Sequence, residues 1–182
     1  MPRSSLNLPQ NLTSTSRVSE NSENYFAKFK GKTVAVFFGG QSPEHDVSII
    51  SALLAVIPPL KLLGMNVVPI YIAKTGDWFS GPELTDVKTY QTNKIREIMQ
   101  TGKPLKIIFK GGLKIIESAK FGREISRNID FAFPVLHGQN GEDGAIPAFL
   151  QLANIPFVGC DLESSAVAMN KMAKQSRRAW ER

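Results

Sequence analysis

The stretch of sequence that most constrains this fold is residues 131–144. It begins with an apolar run, residues 131–136, that is short enough to be a buried strand. The next eight residues are His137, three glycines, two acids and two amides, and apolar residues at helical spacing follow from Ile146. A strand, a polar glycine-rich loop and a helix in this order present backbone N–H groups to a ligand at the carboxyl edge of an α/β sheet. The stretch therefore predicts a ligand-binding loop, and a glycine-rich turn without a ligand is the plain alternative.

The rest of the chain alternates apolar runs of strand length with segments of helical periodicity. Strands are predicted at residues 33–38, 66–73, 131–136 and 157–158, with a hairpin over 105–109 and 113–116. Helices are predicted from Ser42 toward Gly64, over residues 87–99, from 146 to about 154, and from Asp161 or Ser164 toward Arg182. Because helices separate successive apolar strands, this order predicts an α/β fold with a Rossmann-like, doubly wound and mainly parallel sheet.

The first of these helices has a clear start signal. Ser42 can accept a hydrogen bond as its N-cap, Pro43 suits the first helical position, and the acids that follow favour the positive end of the helix dipole. Pro58 and Pro59 predict that the helix bends or ends there, and Gly64 predicts a stop.

Length and composition predict one folded domain between less regular ends. With 182 residues and 42% hydrophobic content, the chain can bury one sizeable core. Residues 1–30 are rich in Ser, Asn, Thr and Pro without a sustained apolar period, and we interpret them as a disordered extension. Residues 31–165 are then the α/β domain, and residues 166–182 are a helix that leaves it.

The net charge of +6 is concentrated at the two ends of the chain, because residues 31–170 hold 13 basic and 13 acidic residues. Nucleic-acid binding needs a basic face on the fold itself, so the composition argues against it. A single cysteine, Cys160, excludes an intramolecular disulfide and favours the reducing cytoplasm. No stretch approaches the roughly 20 apolar residues of a membrane span, so no membrane partner is expected.

Two side chains are predicted to meet at the carboxyl edge of the sheet. Glu44 follows the first strand and His137 follows the strand of residues 131–136, so both should face one crevice. There they could hold a small zwitterion, with the carboxylate on its ammonium group. Stabilisation of a helix dipole by Glu44 and an ordinary hydrogen bond from His137 are the structural alternatives.

Nucleotide and metal motifs are missing from the same loops. The glycine pair Gly39–Gly40 matches neither the dinucleotide fingerprint nor the P-loop. No cluster of Cys or His has metal-ligand spacing, and Ser48 lies in no nucleophile motif. The residues alone therefore favour an amino-acid-like ligand and predict no metal site within this chain.

Three segments in the right order resemble the amino-terminal domain of D-alanine–D-alanine ligases, which belong to the ATP-grasp superfamily. Residues 36–48, VFFGGQSPEHDVS, are similar to the family's strand and G-G-x-S-x-E-x-x-V-S helix start. Residues 133–144, FPVLHGQNGEDG, are similar to its H-G-x-x-G-E-D-G loop. The third segment is residues 155–160, IPFVGC, which run into residues 164–171, SSAVAMNK, and is similar to the family's I-P-Y-x-G and S-A-x-A-M-D-K segment. The resemblance covers about residues 31–176 and implies the pre-ATP-grasp, substrate-side domain of such a ligase.

This resemblance implies a role for each matched residue. Glu44 corresponds to the acid that holds the ammonium group of the first D-alanine, and His137 to the histidine beside that substrate's carboxylate, so both are expected to be catalytic and substrate-binding. The other implied substrate-binding residues are Val47, Ser48 and Gly138. Lys171 corresponds to a lysine that reaches the nucleotide. In the family, ATP phosphorylates the first D-alanine, the amine of the second attacks the acyl phosphate, and Mg²⁺ neutralises the phosphates.

Two features depart from the family pattern. Asn170 stands where the family usually has Asp, a small change within a helix. Family members also continue well beyond the residue that corresponds to Arg182, and that part supplies the ATP-grasp fold and the metal-binding acids. We therefore expect this chain alone to be inactive, and its expected partners are the remainder of a ligase and a second copy of the chain.

Two alternative functions stay open. The chain could be a non-catalytic Rossmann-like domain that binds an amino acid or a partner chain. A reading frame for an ATP-grasp region after Arg182 would favour the ligase, and a natural stop would favour the binding domain. The enzymatic alternative joins D-alanine to D-lactate or D-serine, because the residues that select the second substrate lie in the family's carboxy-terminal part.

Overall fold

A computed structural model describes residues 26–102, 105–109, 112–118, 124–138 and 141–169. Its strands are β1 (Thr33–Gly39), β2 (Asn66–Ile72), β3 (Trp78–Phe79), β4 (Lys106–Phe109), β5 (Leu113–Ser118), β6 (Glu124–Asn128) and β7 (Phe131–Pro134). Its helical elements are α1 (His45–Ile50), a π-helical segment (Ser51–Val56), α2 (Ile57–Leu62), a 3-10 turn (Pro82–Thr85), α3 (Val87–Gln91), α4 (Lys94–Thr101), α5 (Ala145–Leu152) and α6 (Leu162–Met169).

β1 lies inside the larger sheet of the described residues, whose strand order is β3-β2-β1-β7. It runs parallel to β2 along its whole length and parallel to β7, whereas β3 is an antiparallel edge. Phe157 adds only an isolated parallel bridge to Ala132, at the place where a short strand was predicted. The predicted α/β fold with parallel strands is confirmed.

A smaller antiparallel sheet, β4-β5-β6, lies in the second half of the chain. Its first two strands are the predicted hairpin, paired from Lys106 with Ile116 to Phe109 with Leu113. β6 was not predicted, because its residues, EISRN, are all exposed and show no apolar alternation. Backbone pairing with β5 holds it in place.

Alternate residues of β1 divide the core into two layers. Val34, Val36 and Phe38 pack in one cluster with apolar residues of α1, the π-helical segment and α2. Ala35 and Phe37 pack in the other cluster with β5 and α5. All five side chains are fully buried, which explains why β1 is apolar on both faces.

The helical run between β1 and β2 continues through its two prolines. Pro58 and Pro59 lie in the first turn of α2, directly after the π-helical segment, where missing N–H groups are tolerated. The run ends at Leu62, and Gly64, with φ of +75°, confirms the predicted stop. Among the described residues, His45–Leu62 is the helical run that is long and apolar enough to cross a membrane. Its inward side chains belong to the core of the sheet, so packing accounts for much of its apolar character.

The single helix predicted over residues 87–99 is two short helices. α3 ends at Gln91 and α4 begins at Lys94, and Thr92 between them has an extended backbone with φ of −121° and ψ of 177°. The Thr92 hydroxyl donates to the Lys88 carbonyl (3.0 Å) and accepts from the Lys94 N–H (3.3 Å). This side chain competes for backbone groups and so interrupts the helix.

The described part of the chain begins with a packed helical turn. The ring of Phe29 meets that of Phe131 edge to face, with 6.0 Å between the centroids, and the Gly31 N–H donates to the Gly64 carbonyl over 2.9 Å. Residues 26–30, which were predicted to belong to the disordered extension, are instead part of the packed domain, because Phe29 packs on a strand that is distant in sequence. Residues 1–25 lie outside the described residues.

The last described helix, α6, begins at Leu162. The Asp161 carboxylate accepts a hydrogen bond from the Ser164 N–H (2.8 Å), so Asp161, and not Ser164, caps it. Residues 170–182, which complete the helix predicted over residues 166–182, lie outside the described residues.

Candidate functional site

A glycine pair turns the chain at the end of β1. Gly39 and Gly40 have φ of +91° and +92°, a region that other residues rarely adopt. A Cβ atom on Gly39 would collide with the carbonyl oxygen of Ile72, and the Gly40 N–H donates to that same oxygen over 2.8 Å. Glycine is therefore required for the chain to turn this closely beside the end of β2.

Ser42 holds the turn that carries Glu44. The Ser42 hydroxyl accepts a hydrogen bond from the Glu44 N–H (3.0 Å), and the Ser42 carbonyl accepts from the His45 N–H (3.1 Å). Because α1 begins at His45, Ser42 closes a turn before the helix and is not its N-cap. Pro43 likewise lies in this turn and not in the first helical position. The Glu44 side chain is exposed.

His137 follows β7, and its ring is 32% exposed. Nδ1 lies 3.5 Å from Oε1 of Glu142, and the two form an ion pair when the imidazole is protonated. Nε2 is buried and has no hydrogen-bond partner within the described part of the chain. A buried polar atom without a partner costs roughly 1–3 kcal/mol, so a ligand atom that forms a hydrogen bond with Nε2 would be stabilised here.

The turn after β1 and the loop after β7 meet at Gly138. A Cβ atom on Gly138, where φ is +69°, would lie 2.6 Å from Oγ of Ser42 and 3.8 Å from Oε2 of Glu44. The backbone of the His137 loop therefore lies directly against the turn that carries Glu44. This confirms the prediction that the two loops share the carboxyl edge of the sheet.

A cavity of about 480 Å³ lies between the glycine turn, His137 and the start of α5. Its walls are mainly apolar and include Ile72, Trp78, Ile107, Leu136, Ile146 and Phe149. His137 belongs to the wall of this cavity, but Glu44 does not. A ligand that contacts both Glu44 and His137 would therefore extend beyond the cavity.

The other residues predicted to lie near the substrate have different surroundings. Val47 is 53% exposed on α1. Ser48 is 0% exposed, and its hydroxyl accepts from the Gly39 N–H (2.8 Å) and donates to the Val135 carbonyl (2.7 Å). The structure thus brings Glu44, His137 and Gly138 together, whereas the Ser48 hydroxyl is engaged within the fold. Lys171, the predicted nucleotide contact, lies outside the described residues.

His45, to which the sequence analysis gave no role, supports the glycine pair. Its buried ring places Nδ1 2.5 Å from the Gly40 carbonyl oxygen and Nε2 3.2 Å from the Tyr71 hydroxyl. Burial, and secondly the charge of Asp46, raises the pKa of Tyr71 to about 12. Tyr71 therefore keeps its proton. The Gly40 carbonyl oxygen can only accept, so Nδ1 carries the proton of the neutral imidazole and donates to it, while Nε2 accepts from the Tyr71 hydroxyl.

Sequence reasoning also missed Glu142, the partner of His137. For His45 a signal was available, because His45, Ser48 and Ile49 fall at the i, i+3, i+4 spacing of the buried face of α1. For Glu142 no periodic signal exists, since it lies in an irregular loop and reaches His137 through the fold of that loop.

Comparisons with known proteins agree with this geometry. Residues 33–160 match the family model described as "D-ala D-ala ligase N-terminus". The D-alanine–D-alanine ligase of Thermosipho melanesiensis is 37% identical over 145 residues, which cover 76% of this chain and 37% of the relative. The D-alanine–D-alanine ligase of Geobacillus kaustophilus is 38% identical over 141 residues, which cover 76% of this chain and 36% of the relative. The chain thus spans little more than a third of the length of these curated relatives.

Solved structures of ligases resemble the same domain. The D-alanine–D-alanine ligase from Coxiella burnetii matches with a TM-score of 0.65 and 30% identity, covering 81% of this chain and 40% of that one. VanG D-Ala:D-Ser ligase from Enterococcus faecalis matches with a TM-score of 0.63 and 32% identity. The match covers 81% of this chain and 41% of the VanG chain. The matched residues 33–160 include both loops that meet at Gly138. The chain therefore belongs to the family of D-alanine–D-alanine ligase amino-terminal domains.

Proposed function

We propose that this domain is the substrate side of a D-alanine–D-alanine ligase, which joins two D-alanines with ATP through an acyl phosphate for peptidoglycan synthesis. The domain's own part is to hold the first D-alanine at the carboxyl edge of the sheet. The observation that carries the proposal is the contact between the two loops. It places Oε2 of Glu44 within 3.8 Å of a Cβ position on Gly138, the neighbour of His137.

Glu44 and His137 are the proposed catalytic and substrate-binding residues. The exposed Glu44 carboxylate would accept hydrogen bonds from the substrate's ammonium group as a charge-assisted pair. The imidazolium form of His137 would donate from Nδ1 to Glu142 and from Nε2, which has no partner among the described residues, to the substrate's carboxylate. Together they would hold both ends of a small zwitterion and keep its carboxylate in place for phosphorylation.

Val47, Ser48 and Gly138 complete the proposed substrate site. Gly138 lets the loop approach the turn of Glu44, because a side chain there would collide with Ser42. Val47 presents an exposed apolar side chain three residues after Glu44, which suits the methyl group of D-alanine. Ser48 reaches the site only through the backbone groups that it binds.

The proposed reaction needs ATP and Mg²⁺, and the described residues do not fit the metal. They include no group of three or more His, Cys, Asp or Glu side chains that could hold a metal ion. We assign Mg²⁺ and most of the ATP site to an ATP-grasp region in the part of the relatives that this chain does not match, while Lys171 is the proposed contact to the nucleotide. The role of the described residues is then confined to the amino acid.

On this proposal the 182-residue chain does not complete the reaction by itself. It covers 37% of a full-length relative, and the resemblance assigns the phosphate-binding elements to the remainder. The purified chain with ATP and D-alanine should release no phosphate above a heat-killed control. Measurable turnover would show that the chain carries more of the chemistry than we assign to it.

The proposed setting is the cytoplasm, where ATP is available and an exposed Cys160 stays reduced. The proposed architecture is a Rossmann-like, doubly wound domain. It is supported by the helices of the α1–α2 run on one face of the parallel strands and by α5 on the other. β5 packs against this second face beside α5, so a strand as well as a helix covers it. A sheet face in a purely doubly wound fold is covered by helices alone.

The second substrate has a specific alternative. VanG D-Ala:D-Ser ligase matches this domain about as closely as the D-alanine–D-alanine ligase from Coxiella burnetii, with TM-scores of 0.63 and 0.65. The crevice of this domain is proposed to hold only the first D-alanine, so D-serine or D-lactate as the second substrate is compatible with it. Product analysis of the full-length protein would distinguish these ligases.

A homodimer is the proposed assembly. Ile50, Leu54 and Leu62 are 57%, 64% and 88% exposed on the helical run from α1 to α2. Apolar side chains that recur along one helix are typical of a surface that another protein covers. A second copy of the chain, related by a two-fold axis, would cover them symmetrically.

Titration of the isotope-labelled chain with D-alanine, followed by NMR, tests the proposed ligand. We expect saturable shifts at the Glu44 and Gly138 amides and at the His137 ring, and weaker effects from L-alanine. Shifts restricted to other surfaces, or none at all, would contradict the proposed site. A preference for a different amino acid would favour the non-catalytic binding domain.

A further inference from the structure

The hydroxyl of Ser48 occupies a place that belongs to the ladder between β1 and β7. The two strands pair in parallel as far as Phe37 and Pro134, and the Val135 N–H donates to the Phe37 carbonyl over 2.7 Å. The next bond of a regular parallel ladder would run from the Gly39 N–H to the Val135 carbonyl. Instead, Oγ of Ser48 accepts a hydrogen bond from the Gly39 N–H (2.8 Å) and donates one to the Val135 carbonyl oxygen (2.7 Å).

This insertion separates the two strands at their carboxyl ends. Two hydrogen bonds of 2.8 and 2.7 Å in series replace one direct bond of about 2.9 Å. Beyond this point the chain after β1 turns toward Glu44, and the chain after β7 continues to His137. β2 and β7 lie on opposite sides of β1, so the opening lies where an α/β sheet forms its ligand crevice.

Serine suits this position because its hydroxyl can accept and donate at the same time. The side chain is fully buried, so water does not replace either bond. Alanine would leave the Gly39 N–H and the Val135 carbonyl without partners in the core, which is unfavourable. The two groups would then be drawn toward a direct ladder bond, and the strand ends would close.

We propose that Ser48 is a positioning residue for the D-alanine site. Its hydroxyl holds the ends of β1 and β7 apart and thereby sets the separation between Glu44 and His137. The inference rests on the proposed function for the identity of the ligand, while the inserted hydroxyl is a property of the ladder itself. Direct contact between Ser48 and the substrate is not required, because both of its hydrogen bonds are made within the fold.

NMR of the wild-type chain tests the insertion directly. A scalar coupling crosses a direct N–H···O=C hydrogen bond, so it should be observed between the Val135 nitrogen and the Phe37 carbonyl carbon, which are directly bonded. No such coupling should join the Gly39 nitrogen to the Val135 carbonyl carbon. Its detection would show a closed ladder and overturn the proposal.

Ser48→Ala tests the consequence for the crevice, with Thr89→Val as the matched control. Thr89 is 1% exposed, and its hydroxyl donates to the Glu83 carbonyl over 2.7 Å, but it lies on α3 and lines no part of the crevice. Both variants should lower the melting temperature. Only Ser48→Ala should move the Gly138 amide resonance and weaken D-alanine binding, by about tenfold or more, since catalytic and binding groups tolerate little misplacement.

The outcomes separate this proposal from the proposed function. If Ser48→Ala leaves the Gly138 resonance in place, or if Thr89→Val moves it equally, Ser48 is an ordinary buried hydroxyl and the proposal falls. A wild-type chain that does not bind D-alanine would refute the proposed ligand, whereas the coupling and the Gly138 resonance would still decide the role of Ser48. If Ser48→Ala does not fold, the presence or absence of the Gly39–Val135 coupling in the wild-type chain alone decides whether the Ser48 hydroxyl is inserted between the strands.

Discussion

The backbone of Gly138 lies against the hydroxyl of Ser42, so closely that a Cβ atom on Gly138 would stand 2.6 Å from Oγ. Ser42 is buried, and its hydroxyl already accepts a hydrogen bond from the Glu44 N–H (3.0 Å). It cannot turn away without losing the bond that shapes the turn of Glu44. This one contact therefore joins the two loops of the crevice.

Gly138→Ala should destabilise the chain by about 2–4 kcal/mol, because it combines a strained positive φ with a collision against Ser42. Gly31→Ala is the matched control, since Gly31 has a similar φ of +78° but no atom within 4 Å of its Cβ position. It should cost only about 1–2 kcal/mol. Urea unfolding measures both, and equal losses would show that the contact with Ser42 is absent.

Glu44→Gln should weaken D-alanine binding, because it keeps the shape of the side chain but removes the charge that pairs with the ammonium group. The loss of one partner from a hydrogen-bonded charge pair costs about 2–5 kcal/mol, or roughly 30-fold to several thousand-fold in affinity. Stability should fall by at most about 1 kcal/mol. Glu97→Gln, in the first turn of α4, is the control and should leave the affinity unchanged. Wild-type affinity in Glu44→Gln, with a large loss of stability, would make Glu44 a structural residue.

Asp130→Asn should change how stability depends on pH. The Thr33 N–H (2.7 Å) and then the Lys32 ammonium (3.0 Å) bind the carboxylate and lower the pKa of Asp130. A lowered folded-state pKa stabilises the fold above the unfolded pKa of about 3.9, and this is lost as the pH falls through the folded value.

The substitution should therefore cost up to about 1 kcal/mol at neutral pH, since the site is exposed to solvent. The difference from the wild type should shrink steadily as the medium becomes more acidic than the unfolded pKa. Urea unfolding at a series of pH values provides the measurement. A difference that stays constant across the series would mean that the charge of Asp130 does not contribute.

A chain that begins at Gly31 should melt several degrees below one that begins at Phe26. The shorter chain lacks the Phe29 ring that packs on Phe131, and each kcal/mol lost lowers the melting temperature of a domain this size by about 2–4 °C. Phe29→Ala in the full chain should reproduce most of the loss. Equal melting of the two truncated chains would show that residues 26–30 add nothing to the stability of the domain.

Leu54→Lys should shift the chain from dimer to monomer in sedimentation experiments, because it places a charge in the exposed apolar row on the α1–α2 run. Leu152→Lys is the control, since Leu152 is 86% exposed on α5, away from that row. A wild-type chain that sediments as a monomer, or a control that dissociates equally, would contradict the proposed dimer surface.

Local patterns were sufficient for much of this domain. The apolar runs that became β1, β2 and β7, the hairpin of β4 and β5, the stop at Gly64 and the loops that carry Glu44 and His137 all follow from neighbouring residues. Each depends on the period of the apolar positions, on a cap or on a glycine, and these are properties of a few consecutive residues. The three motifs that indicate the ligase family are local in the same sense.

Only the tertiary structure decided the remainder, because its partners are far apart in sequence. β6 has no apolar period and exists through its backbone pairing with β5, and Phe29 is ordered by a strand about a hundred residues away. Ser48 binds a carbonyl 87 residues further along the chain, and that bond depends on the register of β1 and β7. The sequence alone determined which residue types lie in the two loops, whereas the assembled sheet determined that the Ser48 hydroxyl bonds both to the end of β1 and to the residue after β7.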